Sequence, residues 1–177
     1  MSAKSIKDHY GSVAVTIHWL SVFLILILIG SGYRAGDIED AAAKAAILKV
    51  HMPIGSAVLL LTLGRIGWWL FADKKPDAVS MPPWQDRLSR AVHILFYILI
   101  LGTAASGIGM IALSGAGPII FSGSVTALPD FWDYPPRMPH RAGAGLIFFL
   151  FIIHAGAALY HQFVKRDGLL GRMWYKK

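Results

Sequence analysis

The residues in this chain best suited to chemistry are histidines set inside long apolar runs. The stretch HRAGAGLIFFLFIIHAGAALYH places His140, His154 and His161 at intervals of fourteen and seven. At 3.6 residues per helical turn, those intervals return all three to nearly one face. The rise from His140 to His154 is roughly 21 Å, most of the ~30 Å depth of a bilayer hydrocarbon core. A polar residue repeated along such a face is costly, so it calls for a partner or a cofactor. Imidazole is a metal ligand. The chain has no cysteine, which excludes thiolate zinc, cysteine-held iron–sulfur clusters and covalently attached haem. The expectation is two stacked haems, held without covalent attachment.

The elements that must position these residues are membrane helices. Of 177 residues, 55% are hydrophobic and 15% charged, against about 25% charged in a soluble domain. Apolar runs predict helices at about 13–33, 46–71, 91–113 and 140–163, in a single domain over 1–177. A basic start before the first run resembles a signal peptide, with AAA near position 42 as a cleavage site. The run is long for that purpose and carries His18 and Trp19, so it is expected to stay. The net charge of +7 flanks apolar spans, which points to membrane topology and not to nucleic acid.

Three links separate the spans. Residues 34–45 are charged, 72–90 are polar and basic, and 114–139 are long and aromatic, which predicts an ordered cap. Pro53 is expected near the start of the second helix, where its missing N–H matters least. Trp68 and Trp69 read as interfacial anchors, and Arg65 as a side chain snorkelling to the same interface. With four spans, both termini and the middle link share one side. That side carries Lys4, Lys7, Lys74, Lys75, Arg87, Arg90 and a tail running from Lys165 to Lys177. The other has Arg34, Lys44, Lys49, Arg137 and Arg141. By the positive-inside rule both termini are cytoplasmic.

Direction and depth then sort the histidines. The outer layer holds His51 and His140. The inner layer holds His18, His93, His154 and His161. His154 is its natural ligand on the fourth helix, and its partner is either His18 or His93. Gly55, Gly143, Ala144, Ala157 and Ala158 follow ligand positions at helical spacing and leave room for a flat ring; the plainer reading is small-residue helix packing. Each histidine alone reads as a packing residue. Zinc is disfavoured because neither layer has the carboxylates or thiolates that complete a tetrahedral site.

His18-Trp19 near the start, His51, His93 and the H-x13-H-x6-H pattern of the fourth helix resemble the bacterial cytochrome b561 family. These are small four-helix dihaem proteins of the inner membrane, linked to quinone. The resemblance covers nearly the whole chain and implies an all-α membrane protein, a four-transmembrane-helix bundle enclosing two b-type haems. It implies His18 with His154 for the inner haem and His51 with His140 for the outer one. His93 has a counterpart but no axial role.

The resemblance also implies oxidation of superoxide at the periplasmic side and reduction of ubiquinone. Lys49, Arg137 and Arg141 lie within three residues of the outer ligands and can pair with propionates or draw in a small anion. Trp19 and His161 are the quinone candidates, through an indole N–H or ring face and an imidazole proton. Each is otherwise an ordinary interfacial residue. The alternatives are an electron-relay subunit serving a separate dehydrogenase or cytochrome partner, and a haem-free helical membrane protein.

Overall fold

The computed structural model describes residues 2–77, 79, 81–122 and 125–175. Of the expected features, Lys176 and Lys177 of the basic tail and residues 123–124 of the cap lie outside these. The described residues are helices and loops, with four helices long and apolar enough to cross a membrane. These are α1 (Ser12–Asp37), α2 (Ala41–Gly67), α3 (Pro83–Ser114) and, after a short α4 (Ala116–Phe121), α5 (Arg137–Tyr160). A turn of π-helix extends α2 over Trp68–Ala72 and α5 over His161–Lys165.

The helices outrun their apolar cores. The expected 34–45 link shrinks to residues 38–40, because AAAKAA is strongly helix-forming and Asp40 caps it. The Asp40 carboxylate accepts from Ala43 N at 2.7 Å. Pro53 is therefore deep inside α2 and not near its start. It leaves the Lys49 carbonyl without its usual helical donor. The third helix begins eight residues before its expected start. Pro82 and Pro83 open it, and Asp86 pairs with Arg90 one turn on.

Gly115, at φ +63°, ends α3 in the left-handed conformation that glycine adopts freely. The chain then enters α4, whose Ala116 and Ile120 are fully buried. α4 and a 3₁₀ turn at Phe131–Asp133 give the described residues of the 114–139 region the ordered structure expected of a cap. α1 packs along α2 and α3 along α5, while α5 has few close backbone contacts with α1 or α2. The bundle is thus two helix pairs with a gap between them. Large apolar side chains such as Phe23, Leu60, Ile94 and Phe149 face outward, as they must when lipid replaces water.

At the opposite end from the cap, the N-terminal segment, the α2–α3 link and the C-terminal tail are tied together. Ser5 N and Oγ donate to the Asp73 carboxylate at 3.0 and 2.7 Å. Asp77 N donates to the Lys7 carbonyl, and Arg172 donates to the carbonyls of Asp8 and Asp77. Both termini and the middle link therefore share a side, as a four-span chain requires. That is the inner end.

Candidate functional site

Two histidine pairs face each other across the gap between the helix pairs. In the outer layer the rings of His51 on α2 and His140 on α5 have centroids 6.2 Å apart. In the inner layer His18 on α1 and His154 on α5 are 6.3 Å apart. Ile147, midway along α5, is buried between the layers. His93 also reaches His154, at 5.4 Å. Unlike the other four, His93 is exposed, and its Nδ1 lies 2.8 Å from the Ser89 carbonyl on its own helix.

The outer rings are held from behind. His140 Nδ1 lies 2.9 Å from the Thr103 carbonyl, which can only accept, so that nitrogen carries the proton. His51 Nδ1 lies 2.8 Å from Ser31 Oγ, whose own proton is directed at the Leu28 carbonyl. Both rings then present a bare Nε2, the tautomer that binds metal. The space around them is a cavity of about 550 Å³ lined by residues of α1, α2, α3, α5 and the cap. Glycine keeps part of it open. A Cβ on Gly107 would stand 3.0 Å from His140 Cε1, and one on Gly32 would stand 3.4 Å from His51 Cε1.

These residues fit haem. With metal–nitrogen bonds of about 2 Å and ring centres ~1 Å beyond the nitrogen, two imidazoles holding one iron between them would have ring centres roughly 6 Å apart. Both pairs have that separation, and each is contributed by opposite sides of the gap. His93–His154 is closer, as direct ring contact would be.

Of the small residues expected to make room, Gly55 and Ala144 do line the cavity. Gly143 does not; a Cβ there would collide with Thr103 Oγ1, so its role is the close approach of α3 and α5.

The expected cations divide. Arg137 and Arg141 line the cavity and lie over the Trp132 ring, 5.0 and 5.5 Å from its centroid. Lys49 does not line it and donates instead to the Ser122 carbonyl at 3.2 Å, joining α2 to the cap. Lys44, Asp37, Glu39 and Asp130 line the same cavity, so its three cations meet three acids and it is not simply basic. Arg65, expected to snorkel to the interface, has its Nε buried without a hydrogen-bond partner.

His161 opens the π turn after α5, with Nδ1 2.5 Å from Asp167 Oδ2. That hydrogen bond holds the Asp167 carboxyl below the usual carboxylate range. The Trp19 indole N–H, a candidate quinone donor, is already committed to the Met173 carbonyl at 2.8 Å, and its ring meets His18 and Trp174 edge-on. Sequence reasoning missed Ser31, the Thr103 carbonyl, Trp132 and the cavity acids. Those contacts join distant residues, and nothing in local pattern marks them. Arg65 did have a signal: it follows His51 by fourteen, as His154 follows His140.

Residues 9–176 match the family model described as prokaryotic cytochrome b561. Cytochrome b562 of Cereibacter sphaeroides is 31% identical, with 93% of this chain and 94% of that protein aligned. The probable superoxide oxidase CybB of Yersinia pestis is 27% identical over 95% of this chain and 97% of its own. Cytochrome b561 homolog 1 of Escherichia coli is 24% identical over 94% and 97%.

Proposed function

The chain belongs to the prokaryotic cytochrome b561 family, and on that premise we propose that it takes electrons from superoxide at its outer end and reduces ubiquinone at its inner end. Membership implies haem b and electron transfer in a bacterial membrane. The finer reading rests on one observation, the two histidine pairs of matching separation stacked along α5. His51 with His140 and His18 with His154 would each hold one haem. Haem so held would supply reversible one-electron exchange.

The balance is simple. Two superoxide anions lose one electron each and leave as dioxygen, while one quinone takes two electrons and two protons. Arg137 and Arg141 attract the anion; Asp37, Glu39 and Asp130 oppose part of that field and confine the attraction to short range. At the inner end His161, hydrogen-bonded to Asp167, is the group placed to give a quinone oxygen its proton. Trp19 then contributes a ring edge and not its N–H. The printed name of the Yersinia protein supports superoxide as donor. The excess of lysine and arginine at the end with the termini supports a cytoplasmic inner end and a periplasmic outer one, in the inner membrane.

The test is a pyridine haemochrome count followed by stopped-flow reduction with superoxide in the presence of a soluble ubiquinone. Two haems per chain, fast reduction and quinol formation are expected. Two haems with no response to superoxide would favour the relay reading, with a protein donor docked on the cap.

A further inference from the structure

The inner layer contains a charge that the histidine pairs do not explain. His51 and Arg65 are fourteen residues apart on α2, roughly 21 Å along the axis and within about 40° of one face. His140 and His154 have the same relation on α5. α2 therefore sets an arginine at the depth where α5 sets the inner histidine. The inner layer is drawn from all four long helices: His18, Arg65, His93 and His154.

No carboxylate answers it. The ion pairs among the described residues are Arg90–Asp86 and His161–Asp167, and the Arg65 side chain enters neither. Its Nε is buried and without a hydrogen-bond partner. Asp73, which follows the same helix, directs its carboxylate to Ser5, Lys74 N and Trp68 Nε1. An arginine stays protonated in such a place, and a cation within a bilayer without a protein counter-ion marks a function. The outer layer differs. There Arg137, whose Nε is likewise buried without a hydrogen-bond partner, shares a cavity with Arg141, Lys44 and three acids.

We propose that Arg65 is an electrostatic tuning residue, a fixed positive charge that makes the inner redox site the stronger electron acceptor of the two. Reduction of that site adds one negative charge beside Arg65; no bond forms or breaks and no proton is required. In low dielectric the attraction is weakly screened, so the electron is drawn from the outer layer to the inner one. This rests on the two-haem reading above.

Potentiometric titration of the purified protein tests it, using Arg65→Gln and Arg65→Lys. In Arg65→Gln one component should become at least tenfold harder to reduce, ~59 mV for one electron. The other component should move less than threefold. Arg65→Lys should stay within threefold of the wild type at both. His51→Ala, left with the inner site alone, should show the full Arg65→Gln shift when the two are combined. Unshifted components, equal shifts of both, or a lysine variant that behaves like glutamine would overturn the proposal. If Arg65→Gln does not accumulate, a tenfold shift in Arg65→Lys decides against it, and wild-type behaviour there decides for it. A haemochrome count of one per chain removes the two-site reading and this proposal together; a count of two with unshifted potentials removes this proposal alone.

Discussion

Gly107 and His140 meet so closely that α3 has no room for even one carbon there. A Cβ on Gly107 would stand 3.0 Å from Cε1 and 3.2 Å from Nδ1 of the imidazole. The same ring is fixed by the Thr103 carbonyl one turn earlier on that helix. α3 therefore both clamps the His140 ring and sets its tilt, although neither histidine of the outer pair belongs to it. Gly107→Val should turn the His140 ring out of line and release the outer haem. Gly30→Ala, where a Cβ meets nothing within 4 Å, should keep both. Haem per chain, measured on the two variants side by side, checks this; a fully loaded valine variant would contradict it.

Removing a ligand should remove one haem and spare the other, because the pairs lie in separate layers bridged by Ile147. His51→Ala and His140→Ala should each lower the haemochrome count from two per chain to one. The residual spectrum should be the same in both variants. Different residual spectra would mean that the two histidines do not serve one haem.

Charge reversal at Arg141 should slow reduction by superoxide, and the effect should shrink as salt rises toward 1 M, where the screening length is about 3 Å. The same change at Lys49, which is turned toward the cap carbonyl of Ser122, should do much less. Stopped-flow rates against ionic strength separate the two. Equal slopes for both variants would sink the steering role of Arg141.

His161→Ala should leave both haem spectra intact and abolish quinone reduction, since His161 is a turn and more beyond His154. Its partner Asp167 has a carboxyl held low by that hydrogen bond. Asp167→Asn should thus lower quinone turnover less than His161→Ala does. Normal quinol formation in the alanine variant would refute this role.

Asp73 gathers the inner end. Partial burial raises its pKa, but the hydrogen bonds from Ser5, Lys74 N and Trp68 outweigh burial and lower it overall. A carboxyl with a depressed folded pKa stabilises the fold above the unfolded value and loses that contribution as pH falls through the folded one. The N-terminal segment should accordingly stay docked at neutral pH and come loose only in acid below the ordinary carboxylate range. Asp73→Ala should cost on the order of 1–2 kcal/mol and expose residues 2–10 to protease at neutral pH. Unchanged cleavage of that segment would show that Asp73 does not hold it.

Composition and spacing by themselves determined the four helices, because a bilayer allows few ways of burying a polar backbone and each span must be long and apolar. The recurrence of His140 and His154 on one face follows from helix pitch alone. So does the pairing of His51 with His140 at one depth, given alternating helix directions. Pitch does not say which helices touch. Only tertiary structure set His18 opposite His154 at the spacing of the outer pair, while His93 stands exposed with its Nδ1 at its own helix's carbonyl. Only there does Gly143 serve helix contact while Gly107 and Gly32 leave room for the His140 and His51 rings. Arg65 shows the difference most plainly. Its distance to Trp69 along the chain suggested a snorkelling side chain, but a side chain follows the space and charge around it. The fold sets Arg65 at the depth of the inner histidines, with its Nε buried and without a hydrogen-bond partner.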